Sequence, residues 1–66
     1  MKYYKIAGNY YRGTSERILQ VFSHGIGWGF THRISVCDLR LRYGNIFSEV
    51  TEDEVASIIM LDELNK

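Results

Sequence analysis

Four residues of types that bind metals or act as nucleophiles lie between positions 24 and 38: His24, His32, Cys37 and Asp38. Their gaps match no zinc-binding pattern. A Cys–His nucleophile also needs a third orienting group and a substrate cleft, which a domain of this size rarely encloses. We therefore expect no metal, no cofactor and no enzymatic activity. We expect His24 to be a solvated cation at a helix end and Cys37 a small buried side chain.

The segment from Gly25 to Phe30 alternates glycine with large apolar residues, in the order GIGWGF. Its spacing is neither the dinucleotide-binding pattern nor a Walker motif. Trp28 could anchor a binding surface, and with His32 and Arg33 nearby it could hold a small anionic ligand or nucleotide. The alternative, which we favour, is a turn with Trp28 packed inward.

The first predicted element is a hairpin with strands over 2–7 and 10–14 and a two-residue turn at Gly8-Asn9. This turn sets Ile6 opposite Tyr11 and Lys5 opposite Arg12. Alternation along the strands then separates two faces. One carries Tyr4, Ile6 and Tyr11, and the other carries Tyr3, Lys5, Tyr10 and Arg12.

Residues 15–24 show the features of a helix. Thr14 is a suitable N-cap, and Glu16 lies where the helix dipole favours an anion. Gly25 suits the residue after the helix. The spacing predicts one apolar stripe, formed by Ile18, Leu19, Val21 and Phe22.

A strand over 30–37 and a hairpin over 39–50 follow. The hairpin turns at Gly44-Asn45, and its register places the large aliphatic residues on one face. The alternative is a short helix over 36–43, because Ser35 and Asp38 have the spacing of a capping box. We prefer the hairpin and keep the short helix open.

The last predicted element is a helix that begins after Thr51, which forms a capping box with Glu54. Its acidic first turn, Glu52, Asp53 and Glu54, lies at the positive end of the helix dipole. Val55, Ile58 and Ile59 form its inward stripe. At 100° per residue, Met60, Leu61 and Leu64 fall on the far side.

These elements predict an α+β fold in one small domain, residues 1–66. We expect a two-layer structure: an antiparallel sheet of four or five strands with two helices on one face, in the order ββαβββα. A core of this size supplies roughly 3–5 kcal/mol. The single cysteine cannot form an internal disulfide. Oligomerisation would supply the missing stability.

The net charge of zero conceals two halves of opposite sign. Residues 1–42 carry seven Lys and Arg against two Asp and Glu, a net +5, and residues 43–66 carry a net −5. If both helices cover one face of the sheet, the other face is open, basic and aromatic. Such a face suits single-stranded nucleic acid, since rings stack on bases and cations neutralise phosphates. It would comprise Tyr3, Lys5, Tyr10, Arg12, Arg40, Arg42 and Phe47.

The function we predict is that of a non-enzymatic binding or regulatory protein. It would be inhibitor-like, of the kind that phage and mobile-element genomes encode. It would bind a protein partner or itself, as a homo-oligomer, through a buried patch formed by Trp28, Met60, Leu61 and Leu64. Single-stranded nucleic-acid binding is the alternative, and small-ligand binding near Trp28 ranks third.

With no apolar run long enough to span a bilayer and no signal peptide pattern, we expect a cytoplasmic protein without membrane contact.

Overall fold

The computed structural model describes residues 1–65, and over these residues the chain forms one five-stranded antiparallel sheet and two α-helices. This confirms the predicted α+β class. The strands lie in the order β4-β3-β2-β1-β5, so β4 and β5 form the edges. The elements are β1 (Lys2–Ile6), β2 (Asn9–Gly13), β3 (Arg17–Ser23), β4 (Gly27–Ser35), α1 (Val36–Tyr43), β5 (Phe47–Val50) and α2 (Glu52–Leu64).

The helix predicted over 15–24 is wrong, because this segment forms the turn before β3 and the strand itself. The Thr14 hydroxyl accepts hydrogen bonds from the N–H groups of Glu16 and Arg17, as an N-cap would, but the chain continues as a strand. Gly13 pairs with Ile18 while Arg12 pairs with Gln20, which leaves Leu19 as a bulge residue. The bulge places Ile18 and Val21 on the same face of the sheet. These residues are three positions apart, a spacing that also places two side chains on one face of a helix.

The hairpin predicted over 39–50 is also wrong, and the short helix kept open at 36–43 is present as α1. The Ser35 hydroxyl caps it by accepting a hydrogen bond from the Asp38 N–H at 3.3 Å. Helical spacing lets both Val36 and Leu39 reach the core. Strand β5 pairs with β1, and the Gly44-Asn45 pair belongs to the connection between α1 and β5.

The first hairpin is present, with its turn one residue earlier than predicted. Ala7 and Gly8 form the turn, with φ values of 51° and 95°, as a type I′ turn requires. Lys5 therefore pairs with Tyr10 and Ile6 with Asn9, and the predicted pairs of Lys5 with Arg12 and Ile6 with Tyr11 are wrong. The register of β2 against β1 differs from the predicted register by two residues. Because side chains alternate with a period of two, each face of the hairpin still carries the residues predicted for it.

The two helices pack on opposite faces of the sheet and not on one face as predicted. Helix α1 covers the face that carries Tyr4, Ile6 and Ile18. Helix α2 covers the face that carries Tyr10 and Phe22. Strands β1 and β2 place large apolar or aromatic side chains on both faces of the sheet. Each face therefore needs a helix packed on it to bury them.

Candidate functional site

Helix α2 has the N-terminus and the inward stripe that its sequence predicts. The Thr51 hydroxyl accepts a hydrogen bond from the Glu54 N–H at 3.2 Å and caps the helix. Val55 is buried against the sheet, and Ile58 and Ile59 pack beside it at half burial. This stripe fixes how the helix is rotated on the sheet and therefore which residues point outward.

Three large apolar side chains lie on the outer side of α2, in its C-terminal half. Met60 is 65% exposed, Leu61 56% and Leu64 75%. They occupy successive turns at a spacing of three to four residues, so they adjoin one another on the surface. We call this set the α2 outer face.

Asp62 joins the end of α2 to the loop between β3 and β4. Both of its carboxylate oxygens accept hydrogen bonds from the Gly25 N–H, at 3.1 and 3.0 Å, and one lies 3.1 Å from His24 Nδ1. His24 therefore lies in a loop beside an acid and not at a helix end. Ile26, 83% exposed in the same loop, lies at the same end of the molecule as the α2 outer face.

Sequence reasoning missed Asp62 and Ile26 as parts of this site. Asp62 follows Val55 by seven residues, so the helical period places it on the inward side, where an acid should find a partner. That signal was present in the sequence. The position of Ile26 depends on the β3–β4 hairpin, which the predicted helix over 15–24 excluded.

Trp28 packs inward, as favoured above, but it lies in strand β4 and not in the predicted turn. Helix α2 separates it from the α2 outer face. Its ring lies 5.5 Å from that of Phe22 and 6.2 Å from that of Tyr3, between centroids. The Arg12 guanidinium lies over its ring at 4.2 Å. The structure therefore does not bring Trp28 together with Met60, Leu61 and Leu64 on one surface.

A recess of about 100 Å³ lies where Trp28 and Arg12 meet α2. Pockets for small ligands have volumes of roughly 300–1,000 Å³, so this recess is too small for a nucleotide. His32 and Arg33 are exposed on β4 and do not line it. The structure does not bring Trp28, His32 and Arg33 together around one cavity.

The seven residues expected to form a basic aromatic face are divided between the two faces of the sheet. Tyr3, Lys5, Tyr10 and Arg12 lie on the face that α2 covers, and Tyr10 is buried. Phe47 lies on the face of α1, with the Arg40 guanidinium 5.4 Å from its ring centroid, and Arg42 is also on α1. The structure does not form the open platform on which stacking of nucleic-acid bases was predicted to depend.

The acidic first turn of α2 and the two arginines of α1 lie on opposite sides of the sheet. The acidic turn of Glu52, Asp53 and Glu54 is exposed at the start of α2, while Arg40 and Arg42 lie on α1. The Lys2 ammonium forms an ion pair with Glu49 at 2.9 Å, and His24 Nδ1 lies 3.1 Å from Asp62 Oδ1. The hydrogen bond and charge of Glu49 raise the pKa of Lys2.

The four metal-competent residues are spread over separate elements. His24 lies in the β3–β4 loop, His32 on β4, and Cys37 and Asp38 in the first turn of α1. Cys37 is exposed, which corrects the expected buried position. Within residues 1–65, no three His, Cys, Asp or Glu side chains are close enough together to hold a metal ion.

Among the same residues, no helix is long and apolar enough to cross a membrane.

Comparison of the chain with known protein families, curated proteins and solved structures finds no match.

Proposed function

We propose that this protein is a small non-enzymatic binding protein that acts through protein–protein contact and self-associates through the α2 outer face. The observation that carries the proposal is the exposure of Met60, Leu61 and Leu64 on adjoining turns of the helix. Single exposed apolar residues are common on protein surfaces, whereas adjoining ones mark interaction sites. A helix that is apolar on its inner and outer sides is suited to burial between two layers.

A second copy of the chain fits this face because the outer side of the helix changes character along its length. Asp53 lies at its N-terminal end, and the apolar residues Met60, Leu61 and Leu64 lie in its C-terminal half. Two α2 helices that cross antiparallel with a two-fold axis near Leu61 bring the apolar halves together. At 1.5 Å per residue, the two Asp53 residues are then roughly 24 Å apart along the helix axes. This separation is well beyond the screening length of about 8 Å at physiological salt.

The small size of the chain also favours self-association. A single core of 66 residues supplies roughly 3–5 kcal/mol, and no disulfide is available from one cysteine. Each fully buried Leu or Met side chain contributes about 1.5–3 kcal/mol. Burial of the α2 outer face in a dimer would therefore add stability comparable with that of the core.

The test compares the double variant Met60→Ser/Leu64→Ser with Leu41→Ser by sedimentation equilibrium. Leu41 is a matched control, since it is 82% exposed on α1 at the opposite face of the sheet. We expect the double variant to raise the dimer dissociation constant by about a hundredfold or more. Leu41→Ser should leave it unchanged.

Both variants should keep the native secondary structure, measured by far-ultraviolet circular dichroism, since all three side chains are exposed. If the folded double variant retains the native dissociation constant, the α2 outer face is not the interface. If Leu41→Ser disrupts the assembly equally, the proposed position of the interface is wrong.

A further inference from the structure

A second surface feature lies on the opposite side of the sheet from α2. Helix α1 has eight residues and is about 12 Å long, so it covers only part of its face. Beside it, a cleft of about 400 Å³ opens between α1, the β1–β2 turn and the segment before β5. This volume is within the range of small-molecule sites.

The floor of the cleft is apolar. It is formed by side chains that also build the core on this face: Ile6, Tyr11, Ile34 and Leu39. Ile46, half exposed, stands at the rim. Because the floor residues are held by the core, the cleft is formed before any ligand binds, which lowers the entropic cost of binding.

One cation stands at the rim of this apolar floor. Arg42 is exposed and lines the cleft together with Tyr43. Arg12 and Arg40 lie over aromatic rings, but across residues 1–65 neither an ion pair nor a ring contact involves Arg42. Asp38, one turn earlier on α1, does not form an ion pair with it. The guanidinium is therefore available to an anion from outside the chain.

We propose that this cleft binds a small hydrophobic carboxylate. The apolar body of the ligand would lie on Ile6, Tyr11 and Leu39, and its carboxylate would accept hydrogen bonds from the Arg42 guanidinium. A neutral analogue would keep the apolar contacts and lose the charge interaction. A cationic analogue would be repelled.

The test is a titration followed by backbone amide NMR, with octanoate, octanamide and octylammonium as probes. The three probes share one chain length and differ in the charge of the head group. We expect octanoate to bind most tightly and octylammonium least. Amide shifts should occur at Ala7, Asn9, Arg42 and Tyr43 and be absent from Ser57 to Leu64 on the opposite face.

Two variants, Arg42→Gln and Ile46→Ser, separate the charge interaction from the apolar contacts at the rim. Arg42→Gln should raise the dissociation constant of octanoate by roughly threefold to fivefold, as expected for the loss of an exposed ion pair. The dissociation constant of octanamide should not change. Arg33→Gln, which removes an exposed cation from β4, is the matched control and should change neither. Ile46→Ser should weaken both probes alike.

Three results would overturn the proposal. They are the absence of shifts at millimolar octanoate, equal binding of octanoate and octylammonium, and shifts that map to α2 instead of the cleft. The α2 outer face is on the other side of the sheet, so failure here leaves the self-association test unaffected.

Discussion

Tyr4 shows how one buried polar atom fixes a turn. Its side chain is 1% exposed in the core beneath α1, and its hydroxyl donates a 2.8 Å hydrogen bond to the Thr14 carbonyl. Burial disfavours the phenolate and raises the pKa of Tyr4 above the ordinary tyrosine value of 10.0. The folded state therefore binds this proton more tightly than the unfolded state does.

We predict that Tyr4→Phe lowers the free energy of unfolding by about 1 kcal/mol at neutral pH, the net contribution of one hydrogen bond. The contribution of the Tyr4 proton is complete below pH 10 and is lost as the pH rises through the raised folded pKa. The native protein and the variant should therefore differ less in their free energy of unfolding at alkaline pH. Urea unfolding at neutral and at alkaline pH measures this difference. A difference that stays constant with pH would contradict the prediction.

Gly13 is the residue that the β3 bulge requires. A Cβ atom built at this position would lie 2.1 Å from the Arg17 carbonyl oxygen and 2.9 Å from the Ile18 Cα. Both are backbone atoms, so the clash cannot be relieved by a side-chain rotation. The close approach of two strands leaves room only for glycine.

Gly13→Ala should lower the free energy of unfolding by about 3 kcal/mol, since overpacking of this kind displaces backbone. This removes most of the roughly 3–5 kcal/mol that a core of this size supplies. Gly29→Ala is the control, because a Cβ there meets nothing within 4 Å. Thermal unfolding of the two variants measures the difference. Equal midpoints would show that the bulge does not have the geometry described.

At the scale of elements, α2 could be predicted from sequence because its signals are local. The Thr51 cap, the acidic first turn and the stripe from Val55 to Ile59 all lie within one segment. The faces of β1 and β2 could also be predicted, because a slip of two residues preserves the alternation.

Two other elements could not be predicted from local pattern. In β3, a hydroxyl-capped turn at Thr14 and a bulge at Leu19 together reproduce the signals of a capped helix. Within the segment 39–50, strand β5 pairs with β1, which is distant in the chain. Because β5 has this partner, residues 36–43 are not needed as a strand and form a helix. The inward position of Trp28 depends in turn on which face α2 covers.

Asp62 couples α2 to the β3–β4 hairpin, and this coupling holds the loop that carries Ile26 at the end of α2. We predict that Asp62→Ala speeds hydrogen exchange at the Gly25 amide by about tenfold, because the charged acceptor contributes roughly 1.5 kcal/mol or more. Asp53→Ala, an exposed acid on the same helix, should leave the Gly25 rate unchanged. Equal rates in the two variants would show that Asp62 does not hold the loop.

At the scale of the whole molecule, the sheet separates two surfaces of different chemistry. One side presents the acidic turn and the apolar C-terminal half of α2, and the other presents α1 with Arg40, Arg42 and the cleft. The proposed self-association through the α2 side would leave the α1 side open to a ligand.

The most direct test of self-association is the solution mass of the unmodified protein across concentration, measured by light scattering at low and at moderate salt. We predict a two-chain particle, twice the chain mass of 7.7 kDa. Its dissociation constant should not rise with salt, because the interface is apolar and salt screens the repulsion between the acidic turns. A particle of one chain mass at every concentration would contradict self-association through the α2 outer face.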